Sequence, residues 1–251
     1  MRCSSVLAMV LFSQLVLADE TPRVTAALAA YDAHVAELDA EFARRPVDEH
    51  ERGWVKLKLA HMVNIDQYMR KFSMTPAKNG YSDAERQDFN RRFVAPRWES
   101  LDAKNTADVR KLLAIHGWFT IGAFGEQADN DAWLLVQHAD QDPEFQRQVL
   151  ALLEPLVAKG ETRPEHYAYL FDRVVARPDA AGARKPQRYG TQGRCTGMGQ
   201  WEPFEVEDSG HLDERRASVR LMPEAEYRTI FKDLCFESQE ATMRKAGGEK
   251  P

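Results

Sequence analysis

The sequence predicts a mainly α protein, a single multi-helix domain of about seven to nine helices, with a small β-hairpin or irregular strands near residues 187–206. Three observations predict it. Apolar side chains recur at three- and four-residue intervals over most of the chain, Pro and Gly punctuate those stretches where helices would end, and short, turn-flanked, strand-like segments fall together in one region. With 43% apolar and 29% charged residues the composition is that of an ordinary globular protein, which excludes wholesale disorder.

Met1 and Arg2, an apolar stretch from Val6 to Leu17 and the ending Val16-Leu17-Ala18 have the layout of a secretory signal peptide cleaved after Ala18. The stretch is too short, and too interrupted by Ser13 and Gln14, for a membrane span of about 20 residues. The expected organisation is residues 1–18 as signal peptide, 19–237 as one helical domain and 238–251 as a polar, disordered tail. The expected product is exported, periplasmic or secreted, without stable membrane insertion. A formal charge of −5 with scattered Lys and Arg lacks the basic footprint of phosphate-backbone binding, so nucleic acid is not an expected partner. Cys195 and Cys235 survive cleavage. They form either a disulfide or two separate thiols, and spacing alone does not decide between them.

Val24 to Arg45, rich in Ala, Leu and Glu, reads as a first helix ended by Pro46. Glu49 to Phe72 sets Trp54, Leu57, His61, Ile65, Tyr68 and Phe72 on one face, the pattern of an amphipathic helix. Asn79-Gly80 is a turn. Ser82 with Glu85 forms a capping box for a third helix, which Pro96 should kink or break. Thr106-Ala107-Asp108 opens a short helix closed by His116-Gly117. Gly125 to Ala139 is the next helix, and its middle, Ala132 to Val136, is apolar on every side, which marks it as the central element. Asp142 caps a helix beginning at Pro143 and ended by Gly160, and Pro164 to Ala176 forms another. Pro178 to Pro186 is a loop, Gln187 to Gln192 and Trp201 to Val206 are the candidate strands, and helical patterns resume at Leu212 to Val219 and Pro223 to Phe236.

His116-Gly117-Trp118, Ala132 through Asp140, Asp172-Arg173-Val174 and Gln187 through Gln192 together resemble a family of bacterial proteins catalogued only as a domain of unknown function. Met62 with Asp66-Gln67 and Arg70, and Asp213 through Arg216, also fit it. The Pro expected after Gly-Trp is Phe119 here. The resemblance implies a mostly helical domain and no established activity.

The candidate catalytic residues are His138, Asp140 and His116. His138 ends the most apolar helix, where imidazole could serve as acid or base at a pocket rim, or interact with the last carbonyls of its own helix. His116 reads first as a helix-end cap, and becomes a catalytic candidate only beside His138. The candidate ligand-binding residues are Asp66, Arg70, Gln137, Asp172, Arg173, Tyr189 and Gln192. Asp66 and Arg70, four apart, form either a surface ion pair or part of a polar pocket, and Asp172-Arg173 reads in the same two ways. Strand alternation would put Gln187, Tyr189 and Thr191 on one face and Arg188 and Gln192 on the other. Zinc-helix, phosphate-loop, nucleophile-elbow and Cys-x-x-Cys motifs are missing, so neither a metal nor a cofactor is expected. The functional expectation is an envelope enzyme of hydrolase or transferase type acting on a small polar molecule, with His138 as acid or base. The alternative is a non-catalytic ligand-binding or protein-interaction module.

Overall fold

The computed structural model describes residues 21–235, so the expected leader and tail lie outside the described residues. Helix α1 (Pro22–Ala43) has Pro22 in its first turn, where no intrahelical N–H is needed, and buries Val24, Leu28 and Tyr31. Helix α2 (Arg52–Ser73) is capped by the Glu51 carboxylate, which accepts from the Gly53 and Trp54 amides. Its buried stripe includes Val55, Leu59, Met62, Asp66 and Met69. That stripe is rotated from the expected face, so Leu57 points to solvent rather than into the core.

A single turn, α3 (Thr75–Lys78), precedes α4 (Asp83–Phe89), where the predicted capping box forms between Ser82 and Glu85. The chain does not break at Pro96. It passes through a π-helical segment (Asn90–Val94) and continues as α5 (Ala95–His116), with Pro96 in the first turn, where its missing N–H does no harm. Thr106 therefore does not open a separate helix. Its hydroxyl donates to the Asp102 carbonyl one turn back (2.7 Å), a bond that satisfies it inside α5. Gly117 ends α5 at φ +69°, a conformation that favours glycine.

Three more helices complete the main body after the short α6 (Ile121–Phe124): α7 (Glu126–Gln137), α8 (Pro143–Val157) and α9 (Pro164–Val175). Asp142 caps α8 by accepting from the Phe145 amide (3.0 Å). Helix α7 packs against α2, α5, α8 and α9, which makes it the central element that its apolar middle predicts. Leu59, Leu135, Leu153 and Leu170 meet in the main core. Truncating any of these to Ala would cost about 2–5 kcal/mol. A second, aromatic cluster of Tyr31, Phe89 and Phe93 with Met69 joins α1, α2 and the π segment.

The small sheet is antiparallel, but its first strand is not Gln187–Gln192. β1 (Gly193–Gly197) pairs with β2 (Gln200–Pro203), while in residues 187–192 pairing with the second segment is reduced to an isolated parallel bridge of Gln187 with Val206 and a bond from the Phe204 amide to the Gln192 carbonyl, and the amides of Arg188, Tyr189 and Thr191 serve a carboxylate. Gly193 is required by close approach: a Cβ there would lie 2.2 Å from the Glu202 carbonyl oxygen and 2.4 Å from the Trp201 ring. Helix α10 (Leu212–Ser218) follows, then α11 (Glu224–Thr229), which stops well before the predicted Phe236. The chain then turns to Cys235, which is joined to Cys195 by a disulfide across 5.4 Å between Cα atoms. The whole is a mainly α single domain, and no helix among the described residues is long and apolar enough to cross a membrane.

Candidate functional site

The geometry centres on the last turn of α7. His138 is its C-cap, yet its ring does not turn back to the helix carbonyls. It reaches across to α2, where Nδ1 lies 3.0 Å and 2.9 Å from the two carboxylate oxygens of Asp66. Asp66 is fully buried and also accepts from Gln67 Nε2 (2.8 Å) and Arg70 Nε (3.1 Å). Burial alone would raise this carboxyl, but His138 and Arg70 outweigh it and hold Asp66 below the ordinary aspartate value. The Arg70 guanidinium also bonds Asp102 of α5 (2.8 Å) and stacks on Trp98. At Asp102 burial prevails and pushes the carboxyl up, against the pull of Arg70 and His138.

Arg70 Nε also stands 3.0 Å from His138 Nδ1. One nitrogen cannot both donate to Asp66 and accept from Arg70, so the pair offers two neutral tautomers, each satisfied at the Nδ1 edge. With the proton on Nδ1, Nε2 is a base. With Nδ1 accepting from Arg70, Nε2 carries the proton. No described residue hydrogen-bonds to Nε2.

His138 lines a cleft of about 300 Å³, within the usual size of small-molecule sites. Its polar wall comprises Gln137, His138, Arg173, Thr191 and Gln192, and its apolar wall includes Trp133, Tyr169, Trp201 and Tyr227. Burial pushes the Tyr169 and Tyr227 hydroxyls up, so both stay protonated at neutral pH, and Tyr227 donates to the Thr191 carbonyl (3.2 Å). Arg173 and Gln192 also line a second cavity of about 170 Å³, together with Asp140, Arg177 and Arg184.

The sequence-derived candidates divide in four. Asp66, Arg70, Gln137, His138, Arg173 and Gln192 meet in or beside the cleft. Asp140 lies on its outer side, half-exposed, where it accepts from Arg173 Nη1 through both oxygens (2.9 Å each) and does not orient His138. Asp172 and Tyr189 line neither cavity. The fully buried Asp172 carboxylate accepts from the amides of Arg188, Tyr189 and Thr191 and from the Thr191 hydroxyl, all within 3.2 Å, so it anchors the loop that carries Thr191 and Gln192. His116 is elsewhere: its Nε2 meets the Glu49 carbonyl (2.7 Å), about 20 Å along α5 from Asp102.

Several contributors were not singled out from the sequence. Arg177 follows Arg173 by four positions, a helical spacing that could have revealed it. Trp201 and Tyr227 arrive from short, irregular segments with no periodic signal. A second Asp–His pair also escaped notice. Asp129 is fully buried, accepts from Trp118 Nε1 and Thr162 Oγ1 (2.7 Å each), and stands 2.9 Å from His166 Nδ1. His166 in turn stacks on Trp133 at 4.4 Å and fixes that wall of the cleft. No three His, Cys, Asp or Glu side chains among the described residues converge as a metal site.

Comparison with known proteins finds one family: a model described as a family of unknown function (DUF6624) matches residues 54–236. No curated protein matches, and no solved structure does.

Proposed function

The chain belongs to this family of unknown function, DUF6624, and we propose that it is an exported enzyme of hydrolase type that uses His138 as general base and acid on a small polar molecule. The observation that carries the proposal is the Asp66–His138 pair at the wall of the aromatic cleft. Asp66 takes the Nδ1 edge, fixes the ring and stabilises the imidazolium, which leaves Nε2 to receive a proton from an attacking water and return it to the leaving group. Water is favoured over a protein nucleophile because two hydroxyls of the cleft lining are engaged elsewhere: Thr191 Oγ1 donates to Asp172, and Tyr227 donates to a main-chain carbonyl. Such a base typically contributes a factor of about 10²–10⁴ in rate.

The test is a panel of chromogenic carboxylic esters, phosphoesters and amides offered to the purified mature protein. Turnover should fall about 100-fold or more in His138→Gln. Turnover unchanged by that substitution would overturn the assignment. One observation favours the competing reading, a binding module: no described hydroxyl lies in hydrogen-bond reach of Nε2. If the whole panel stays inert while a ligand binds the cleft, that reading replaces the first.

Export is supported by the signal-like residues 1–18 and by the Cys195–Cys235 disulfide, which persists in oxidising compartments. The full-length chain expressed in a bacterial host should be recovered outside the cytoplasm with Asp19 at its amino terminus. Intact mass that retains residues 1–18 in the cytosol would count against it.

A further inference from the structure

We infer that the cleft takes an anionic ligand whose oxyanion is bound by the Gln137 amide and the Arg173 guanidinium. This rests on the cleft being the substrate site and names the class of substrate that it admits.

Gln137 is 4% exposed and lines the cleft. Its Oε1 accepts from Arg173 Nε (2.8 Å). A guanidinium has only donors, so the amide cannot be flipped, and Nε2 must face away from Arg173. There it finds no acceptor among the described residues. A buried donor left in this state costs about 1–3 kcal/mol, a cost that a ligand oxygen would remove. Arg173, which holds the same amide and lines the same cleft, brings a second donor to the site. Its Nε and Nη1 are taken by Gln137 and Asp140, whereas no described residue accepts from Nη2.

The charge pattern points the same way. Arg173 lines both cavities, Arg177 and Arg184 line the adjoining one, and Asp140, the one acid lining either cavity, bonds both Arg173 and Arg177. Beyond His138 the balance reverses, with Asp66 and Asp102 facing Arg70. An anion is therefore held at the Arg173 end, and because Gln137 and His138 line the same cleft, the bound oxygen and the proposed base share one site. The rings of Trp133 and Tyr169 offer an apolar face for the body of the ligand.

Binding of phenyl phosphate, benzoate and neutral benzyl alcohol is measured calorimetrically on wild type, Gln137→Glu and His138→Gln. Glutamate keeps the acceptor for Arg173, so the fold is preserved, but it replaces the free donor with negative charge. At least one anion should bind, about tenfold or more tighter than benzyl alcohol, and Gln137→Glu should weaken it by a similar factor without changing benzyl alcohol. Whether phosphate or carboxylate binds better identifies the oxyanion. The inference is overturned if no anion saturates the site up to about 10 mM, if benzyl alcohol binds as well as the anions, or if Gln137→Glu leaves anion binding intact. Anion binding retained in His138→Gln with no turnover in wild type would sink the catalytic reading alone. Turnover of neutral esters without anion binding would sink this one alone.

Discussion

Replacing Asp172 by Ala tests whether the loop at 187–192 is held by one carboxylate. In the native protein that group receives main-chain N–H groups from Arg188, Tyr189 and Thr191 and the Thr191 hydroxyl. The Arg188 amide is only partly buried and water can replace the lost acceptor, but the Tyr189 and Thr191 donors are enclosed. Three enclosed donors at about 1–3 kcal/mol each set the gross loss. Loop relaxation and release of the carboxylate's own desolvation penalty offset part of it, leaving about 3–4 kcal/mol, in the upper tail for single substitutions. With a urea slope of about 2.5 kcal/mol/M, the unfolding midpoint should fall by about 1.2–1.6 M. Hydrogen exchange should show the Tyr189 and Thr191 amides losing protection before the rest of the chain. A midpoint within about 0.3 M of wild type, with those amides still protected, would refute the reasoning.

Three further outcomes are expected. Gly193→Ala should lower the melting temperature by about 2–12 °C, because overpacking against the Glu202 carbonyl and the Trp201 ring costs about 1–3 kcal/mol, and an unchanged transition would mean that the hairpin yields freely. Opening the Cys195–Cys235 disulfide, which spans 40 residues, by paired Ser substitution should cost about 4 kcal/mol by the loop-entropy relation, measured as a fall of about 1.6 M in the urea midpoint. Asp66→Asn should flatten the acid limb of stability: a carboxyl lowered on folding contributes stability that is complete above the ordinary value of 3.8 and is lost as pH falls through the folded value. Urea titrations below pH 3.8 that show the same slope in wild type and variant would exclude that linkage.

Helix number and order were legible because periodicity reports which side of a helix faces its neighbours, and α7 stands out since no side of its middle is polar. The errors have local causes. Thr106 looked like a helix start because Thr favours caps, and nothing in the sequence shows that its hydroxyl returns to Asp102 within a longer helix. Gln187, Tyr189 and Thr191 are buried as the alternation predicts, but Gly190 between them is buried too, so the two-residue period of a strand is broken. Only Gln187 pairs as a strand residue, with the chain at Glu205 and Glu207, while the amides of Arg188, Tyr189 and Thr191 turn to Asp172. For the site, His138, Asp66, Arg70 and Arg173 could be nominated as polar groups on apolar elements, while their meeting depends on crossings between helices that no local pattern encodes. Trp201 and Tyr227 were illegible for a related reason, as they come to the cleft on a hairpin and a short helix whose docking depends on the disulfide and on Gly193.

Helix α7 carries two acid–imidazole pairs, and the contrast between them decides which one can do chemistry. Asp129, near its start, and Asp66, opposite its end, are both fully buried, and each has a histidine nitrogen within 3.0 Å. Both carboxyls are held below their ordinary value despite the cost of burial, in each case chiefly by the neighbouring histidine. Electrostatics therefore does not separate them. Access does. The His166 side chain is 3% exposed, stacks on Trp133 and lines neither cavity. The His138 side chain is 16% exposed, lines the cleft, and follows directly on Gln137 with its unmatched donor. The first pair secures the wall of the cleft. The second faces into it, with a cationic rim on one side and a buried acid behind, which is the placement that acid–base work on a bound anion requires.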